Sequence, residues 1–136
     1  MKGGVATYEG DAWPLPDNVF THPRSSGTFA KILRSYVRER GLLSLNEAIR
    51  KMSLMPAQTL EDFVPQMRQK GRIQVGMDAD IVVFDPATVA DRATFDNANQ
   101  TPDGVQTVLV GGVITVSDGA LVPDAQGGRP IRREVP

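Results

Sequence analysis

His22 and Arg24 stand two residues apart, joined by Pro23, and an arginine in such a loop is one of the side chains that could handle a small anionic ligand. A guanidinium is a planar fork that meets a carboxylate with two parallel hydrogen bonds. Pro23 stiffens the backbone on one side of Arg24, and Gly27 allows a close approach on the other. From residue chemistry alone Arg24 reads as a solvated loop arginine, since most arginines are exposed. His22 has three uses open to it: a ligand, a substrate contact, or a structural imidazole bonded to backbone. It is the one histidine in the 136 residues, and cysteine is absent. A catalytic zinc takes about three protein ligands, mostly histidine. A hydrolytic metal centre therefore needs ligands from outside this chain.

Other acidic and aromatic residues fit quieter roles. Asp78 and Asp80 would share one face of a strand, but they read as turn and strand-entry residues. Glu9 and Asp11 read as solvated loop acids. Trp13 lines a loop or packs in it.

Bulk composition excludes several classes of function. The net charge of −1 leaves no electrostatic footprint for nucleic acid or an anionic membrane. No apolar run reaches membrane length. The Met1-Lys2-Gly3-Gly4 start lacks the apolar core of a signal peptide, so the expected compartment is the cytoplasm. The length fits one domain, and 40% apolar with 23% charged residues suits a soluble globular chain.

The elements that must position these residues fall into two halves. Residues 1–28 are dense in Gly and Pro and read as a long loop. Phe29, Ile32, Leu33, Tyr36 and Val37 then repeat at helical spacing, which predicts a helix over 29–40 ended by Gly41. Ser44-Leu45-Asn46-Glu47 matches a capping box and predicts a second helix over 44–54. Pro56 suits the first turn of a third, and Pro65 should end or kink it. From residue 71 the pattern turns to strands: a short one at 72–75, a buried run Ile81-Val82-Val83-Phe84, and a hairpin of 105–110 with 113–116 about Gly111-Gly112. A further turn at Ser117-Asp118-Gly119 leads to Ala120-Leu121-Val122. Residues 87–104 read as polar and irregular, and 123–136 as a tail. Helices first and strands second indicate an α+β fold. So few strands leave bare edges, which invite pairing with another chain.

Four stretches together resemble the N-acyl-D-amino-acid deacylase (D-aminoacylase) family of the amidohydrolase superfamily. They are His22-Pro23-Arg24-Ser25-Ser26-Gly27-Thr28-Phe29, the run from Gly41 to Ala57, Lys70-Gly71-Arg72-Ile73 with Gly76 to Pro86, and Val108-Leu109-Val110-Gly111-Gly112-Val113. The first two in this order are specific; the last two occur widely among amidohydrolases. The resemblance spans about residues 7–122 and implies a fragment. The terminal helices of a (β/α)8 barrel would be followed by the C-terminal strands of a small β-domain. On that division, 1–28 is the loop after the last barrel strand, 29–70 the helical end of the barrel, 71–122 the C-terminal share of the β-domain, and 123–136 a tail.

The resemblance also implies a chemistry. The complete family enzyme is a zinc-dependent hydrolase of N-acyl-D-amino acids. The metal polarises the amide carbonyl and lowers the pKa of water. An aspartate in a Ser-Asp-Gly or Ser-Asp-Ala element moves the proton. No such element precedes His22. Thr7-Tyr8-Glu9-Gly10-Asp11-Ala12 puts Glu9 on that position in one alignment; in the preferred one the aspartate lies upstream of Met1. Arg24 is implied as the group that reads the substrate carboxylate, and His22 as a weaker substrate contact. No residue of this chain is implied as catalytic or metal-ligating, and no cofactor is expected to bind it tightly. The implied partners are the N-acyl-D-amino acid, a separate N-terminal barrel chain, or a second copy. The alternative is a non-catalytic binding or assembly module derived from an amidohydrolase.

Overall fold

A computed structural model describes residues 22–132. Helix α1 spans Arg24–Lys31 and continues without a break into a π-helical segment, Ile32–Glu39. The helix expected from residue 29 thus begins at Arg24, because the His22-Pro23 pair opens it. Its second half winds with the wider i→i+5 bond, as from the Arg40 N–H to the Ser35 carbonyl at 3.1 Å. Within that segment Arg34 and Arg38 both reach the 86–91 stretch. Helix α2 (Leu45–Met52) starts at Ser44, whose hydroxyl accepts the Glu47 N–H at 3.2 Å. The reciprocal half of the expected box is absent, since the Glu47 carboxylate turns to Arg50 at 2.9 and 3.0 Å. Helix α3 (Leu54–Leu60) carries Pro56 in its first turn, and Pro65 opens a 3₁₀ turn, Pro65–Gln69.

Four strands follow in chain order as an antiparallel sheet: β1 Ile81–Phe84, β2 Val105–Val110, β3 Val113–Ser117 and β4 Ala120–Leu121. Gly111 and Gly112 both take positive φ, 55° and 83°, the conformation a type I′ hairpin demands. Two strand expectations change. Residues 72–75 form no strand, because the Arg72 guanidinium is drawn to the Glu61 carboxylate at 2.7 Å and to the Lys70 carbonyl at 2.9 Å. β1 lies at a sheet edge and is half-buried, not buried.

Register decides which face is core. Val82 lies opposite Val108, and Val108 opposite Val116, so these three share the face turned to the helices. Ile81, Leu109 and Ile114 line the other face, which stays open, with Ile114 47% exposed. Ala30, Leu33 and Ala48 come from the helical half to meet Val105, Val108 and Val116, with Val89 completing one cluster. Full burial of a valine contributes about 1.5–3 kcal/mol. Alanines at 0% and 1% exposure let the helices sit close.

Val89 is held on two sides. The Arg38 guanidinium donates to its carbonyl at 2.8 Å and to that of Pro86 at 3.0 Å. Behind it, Gly104 has φ +75°, and a Cβ there would lie 2.5 Å from the Val89 nitrogen. A second tie joins the halves. Lys70 Nζ reaches Asp78 at 2.8 Å and Asp80 at 2.5 Å, while Asp80 also accepts the Gly111 N–H at 2.7 Å. Burial works against the Lys70 charge, but the Asp78 and Asp80 carboxylates more than offset it and raise its pKa above the ordinary 10.5.

Two outcomes test these ties. Gly41 also has positive φ but open space around it, so Gly41→Ala should cost only the left-handed strain, about 1–2 kcal/mol. Gly104→Ala adds overlap with Val89, about 1–3 kcal/mol more. Urea denaturation compares them, and equal losses would show that Gly104 does not pin Val89. For Lys70 the folded pKa exceeds the unfolded one. Its contribution is therefore complete below the unfolded value and is lost as pH rises through the folded value. The stability gap between wild type and Lys70→Met should stay level from about pH 6 to about pH 9 and close above the ordinary lysine range. A gap that closes near neutrality would contradict the Lys70–Asp78–Asp80 cluster.

Candidate substrate-anchoring site

Arg24 is the first residue of α1, and its side chain is exposed. The residue before it, Pro23, occupies the cap position with φ −56° and makes no side-chain cap bond. The first helical N–H groups therefore need another acceptor. His22 supplies it twice. Its Nδ1 accepts the Arg24 N–H at 3.1 Å, and its carbonyl accepts the Ser25 N–H at 2.9 Å. The Pro23 carbonyl takes the Gly27 N–H at 2.9 Å, and the Thr28 hydroxyl donates to the Arg24 carbonyl at 2.6 Å. The backbone of Arg24 is thus bonded on both sides.

The surrounding wall comes from the connection between β1 and β2. The His22 ring meets Phe95 edge-to-face, 5.0 Å between centroids and 75° between planes. The Ser26 hydroxyl donates to the Ala98 carbonyl. Gly27 faces Asp91 and Ala93, and a Cβ on it would touch both at 3.3 Å. Arg34 pairs with Asp91 at 2.9 Å, although neither Arg34 Nε nor Asp91 Oδ1 has an aligned hydrogen-bond partner. That contact is Coulombic more than directional.

Among the described residues no carboxylate pairs with the Arg24 guanidinium. Arg34, Arg38, Arg50 and Arg72 all spend theirs on internal contacts. An exposed cation on a bonded backbone is suited to receive an anion from outside. Phe95, 73% exposed, stands against the His22 ring, two residues before Arg24. Sequence reasoning missed Phe95, Asp91 and Ala98, having read 87–104 as an irregular connection. The available signals were its length and its single aromatic residue.

Other expected residues take structural places. Asp78 and Asp80 are bound to Lys70, as turn and strand-entry residues. Glu9, Asp11 and Trp13 lie outside the described residues. Among the described residues no three His, Cys, Asp or Glu side chains gather as a metal would require. His22 already spends Nδ1 on the Arg24 amide. With one histidine and no cysteine in the whole chain, these residues do not fit a catalytic zinc.

The Gly27 contact is testable. Gly27→Ala gains up to about 1 kcal/mol of helix propensity and loses part of it to the 3.3 Å contacts, so its stability should change little. Gly27→Val should lose about 1–3 kcal/mol through overpacking and push the 91–95 backbone off the His22 ring. Thermal unfolding, with the Phe95 ring shifts followed by NMR, measures both. A Val variant as stable as wild type, with unmoved Phe95 signals, would contradict the contact.

Comparison with known proteins bears on the family and the fold. The sequence profile of the Amidohydrolase family matches residues 9–116. The N-acyl-D-glutamate deacylase of Alcaligenes xylosoxydans xylosoxydans is 39% identical over 120 residues, 88% of this chain and 23% of that protein. The crystal structure of D-aminoacylase, which defines a novel subset of amidohydrolases, superposes with a TM-score of 0.72 at 38% identity, over 82% of this chain and 22% of that one. The N-acyl-D-glutamate deacylase of Bordetella bronchiseptica, complexed with zinc and a phosphonate mimic of the tetrahedral intermediate, gives 0.71 at 38% identity over the same shares. This chain therefore spans under a quarter of the length of each of these relatives. With its profile match, its helices-then-sheet order and its likeness to the D-aminoacylase structures, the chain belongs to the amidohydrolase family.

Proposed function

We propose that this chain is the C-terminal part of a metal-dependent amidohydrolase that hydrolyses N-acyl-D-amino acids to the D-amino acid and a carboxylate, and that it is inactive alone. The observation that carries the proposal is the 38% identity and 0.71 TM-score to a zinc-loaded N-acyl-D-glutamate deacylase, over 82% of the chain. On this reading Arg24 holds the α-carboxylate of the substrate by a bidentate contact. Residues 29–70, with the helix start from Arg24 ahead of them, are the helical end of the barrel, and residues 71–122 strands of a β-domain. The zinc ligands and the proton-shuttle carboxylate belong to sequence outside this chain, so no metal step is assigned to its residues. The open sheet face and the exposed Ile73 and Val75 are surfaces that the rest of the enzyme would cover.

The chain alone, with added zinc, should not turn over N-acetyl-D-amino acids. Co-expression with the upstream barrel portion of a D-aminoacylase should restore turnover. In that assembly Arg24→Ala should raise KM for substrates with a free carboxylate by about 10- to 100-fold, the loss of a charge-assisted hydrogen bond. Carboxamide substrates should change far less, and Arg24→Lys should rescue poorly because an ammonium lacks the planar fork. Chelator-sensitive turnover by the isolated chain would refute the division of labour. Equal losses for acid and amide would refute the Arg24 assignment.

A further inference from the structure

We propose that His22 is a positioning residue: its imidazole caps α1 through Nδ1 and so fixes the backbone from which Arg24 projects, without itself touching substrate or metal. Helices are usually capped by Ser, Thr, Asp or Asn at the residue just before the first turn. Here that place belongs to Pro23, which offers no side-chain acceptor. The imidazole one residue further back takes over, accepting the Arg24 N–H at 3.1 Å while its own carbonyl accepts the Ser25 N–H. Accepting at Nδ1 places the ring proton on Nε2, the second neutral tautomer. Phe95 holds the ring edge-to-face at 5.0 Å, so the cap is bolted to the β1–β2 connection as well as to the helix. Ser26 and Gly27, on the next turn, press the same helix start against Ala98, Ala93 and Asp91. The consequence for catalysis rests on the Arg24 assignment made above; the capping itself does not.

Two isosteric substitutions separate this role from a direct one. The Asn side chain places an acceptor where Nδ1 stands, and the Gln side chain places a polar atom where Nε2 stands. In the ¹⁵N-labelled full chain, the His22 ring spectrum should show Nδ1 as the unprotonated, accepting nitrogen. Loss of the cap in His22→Gln and His22→Ala should speed Arg24 amide exchange about fivefold, whereas His22→Asn, a good capping residue, should stay within about twofold of wild type. In the complemented enzyme, His22→Asn should keep KM for the free acid and His22→Gln should raise it. A protonated Nδ1, unchanged exchange in His22→Ala, or rescue by Gln with failure of Asn would overturn the proposal. Where a variant does not fold, a through-hydrogen-bond coupling between the Arg24 amide nitrogen and His22 Nδ1 in the wild type decides: its presence supports the cap and its absence overturns it. The Arg24→Ala comparison of acid with amide does not involve His22, so failure of the anchor and failure of the cap read out separately.

Discussion

Everything else in the molecule leans on the seating of Val89. It lies on the connection between β1 and β2, fully buried, with the Gly104 backbone behind it and the Arg38 guanidinium on its carbonyl. Its side chain fills the space between Ala30, Leu33 and Ala48 on the helical side and Val105, Val108 and Val116 on the sheet. A core of small and β-branched residues has little slack, since interiors pack as densely as crystals. Three polar contacts guard the joint. Asp85 closes the turn before Val89, accepting the Ala87 N–H and the Thr88 hydroxyl, and the Asp85 N–H donates to the Gly104 carbonyl. Those bonds fix the turn that carries the chain from β1 to Val89.

From that joint the order passes outward to the helix start. The stretch after Val89 pairs once with the far end of the connection, Ala90 with Asp103, and then wraps the first turn of α1. Gly27 admits it, Ser26 bonds it, and Arg34 pairs with Asp91 on it. The placement of Arg24 thus depends on the sheet through this connection. The arginines divide accordingly. Those facing the connection are consumed in holding it, and the one at the helix start presents its charge outward.

Much of this layout was legible in the residues, and the exceptions have physical causes. Hairpin glycines and the Ser44 cap are local signals, in which a residue type answers a backbone need within three positions, and both took their expected places. The helix start was misread at residue 29 because apolar spacing marks the buried face, while α1 opens with exposed residues capped by a histidine that no capping rule names. The π-helical winding of 32–39 leaves no trace in apolar periodicity, since Ile32, Leu33 and Val37 pack inward under either winding. Residues 72–75 have strand composition, but a strand exists only with a neighbour to bond, and a sequence does not display the neighbour. Arg24 was singled out only by the resemblance of its segment to the family's; Phe95 and Asp91 were not singled out, because their role is contact with residues some 70 positions away.

On the deacylase reading, the value of this arrangement follows from what Arg24 would bind. The α-carboxylate of an N-acyl amino acid keeps its charge while the amide is cleaved. A contact to it holds ground state and transition state alike, so by charge alone it lowers KM and leaves the chemical step untouched. It helps the reaction itself only by orientation, and orientation is unforgiving: a displacement of about 1 Å costs on the order of 100-fold. A guanidinium on a free loop would hold the carboxylate and lose that precision. One projecting from the first residue of a capped helix, whose next turn is pressed against the β1–β2 connection, moves mainly by its own side-chain torsions. Anchoring of this kind needs no metal nearby and no catalytic carboxylate. It needs a stiff start to one helix, which is what His22, Ser26 and Gly27 provide.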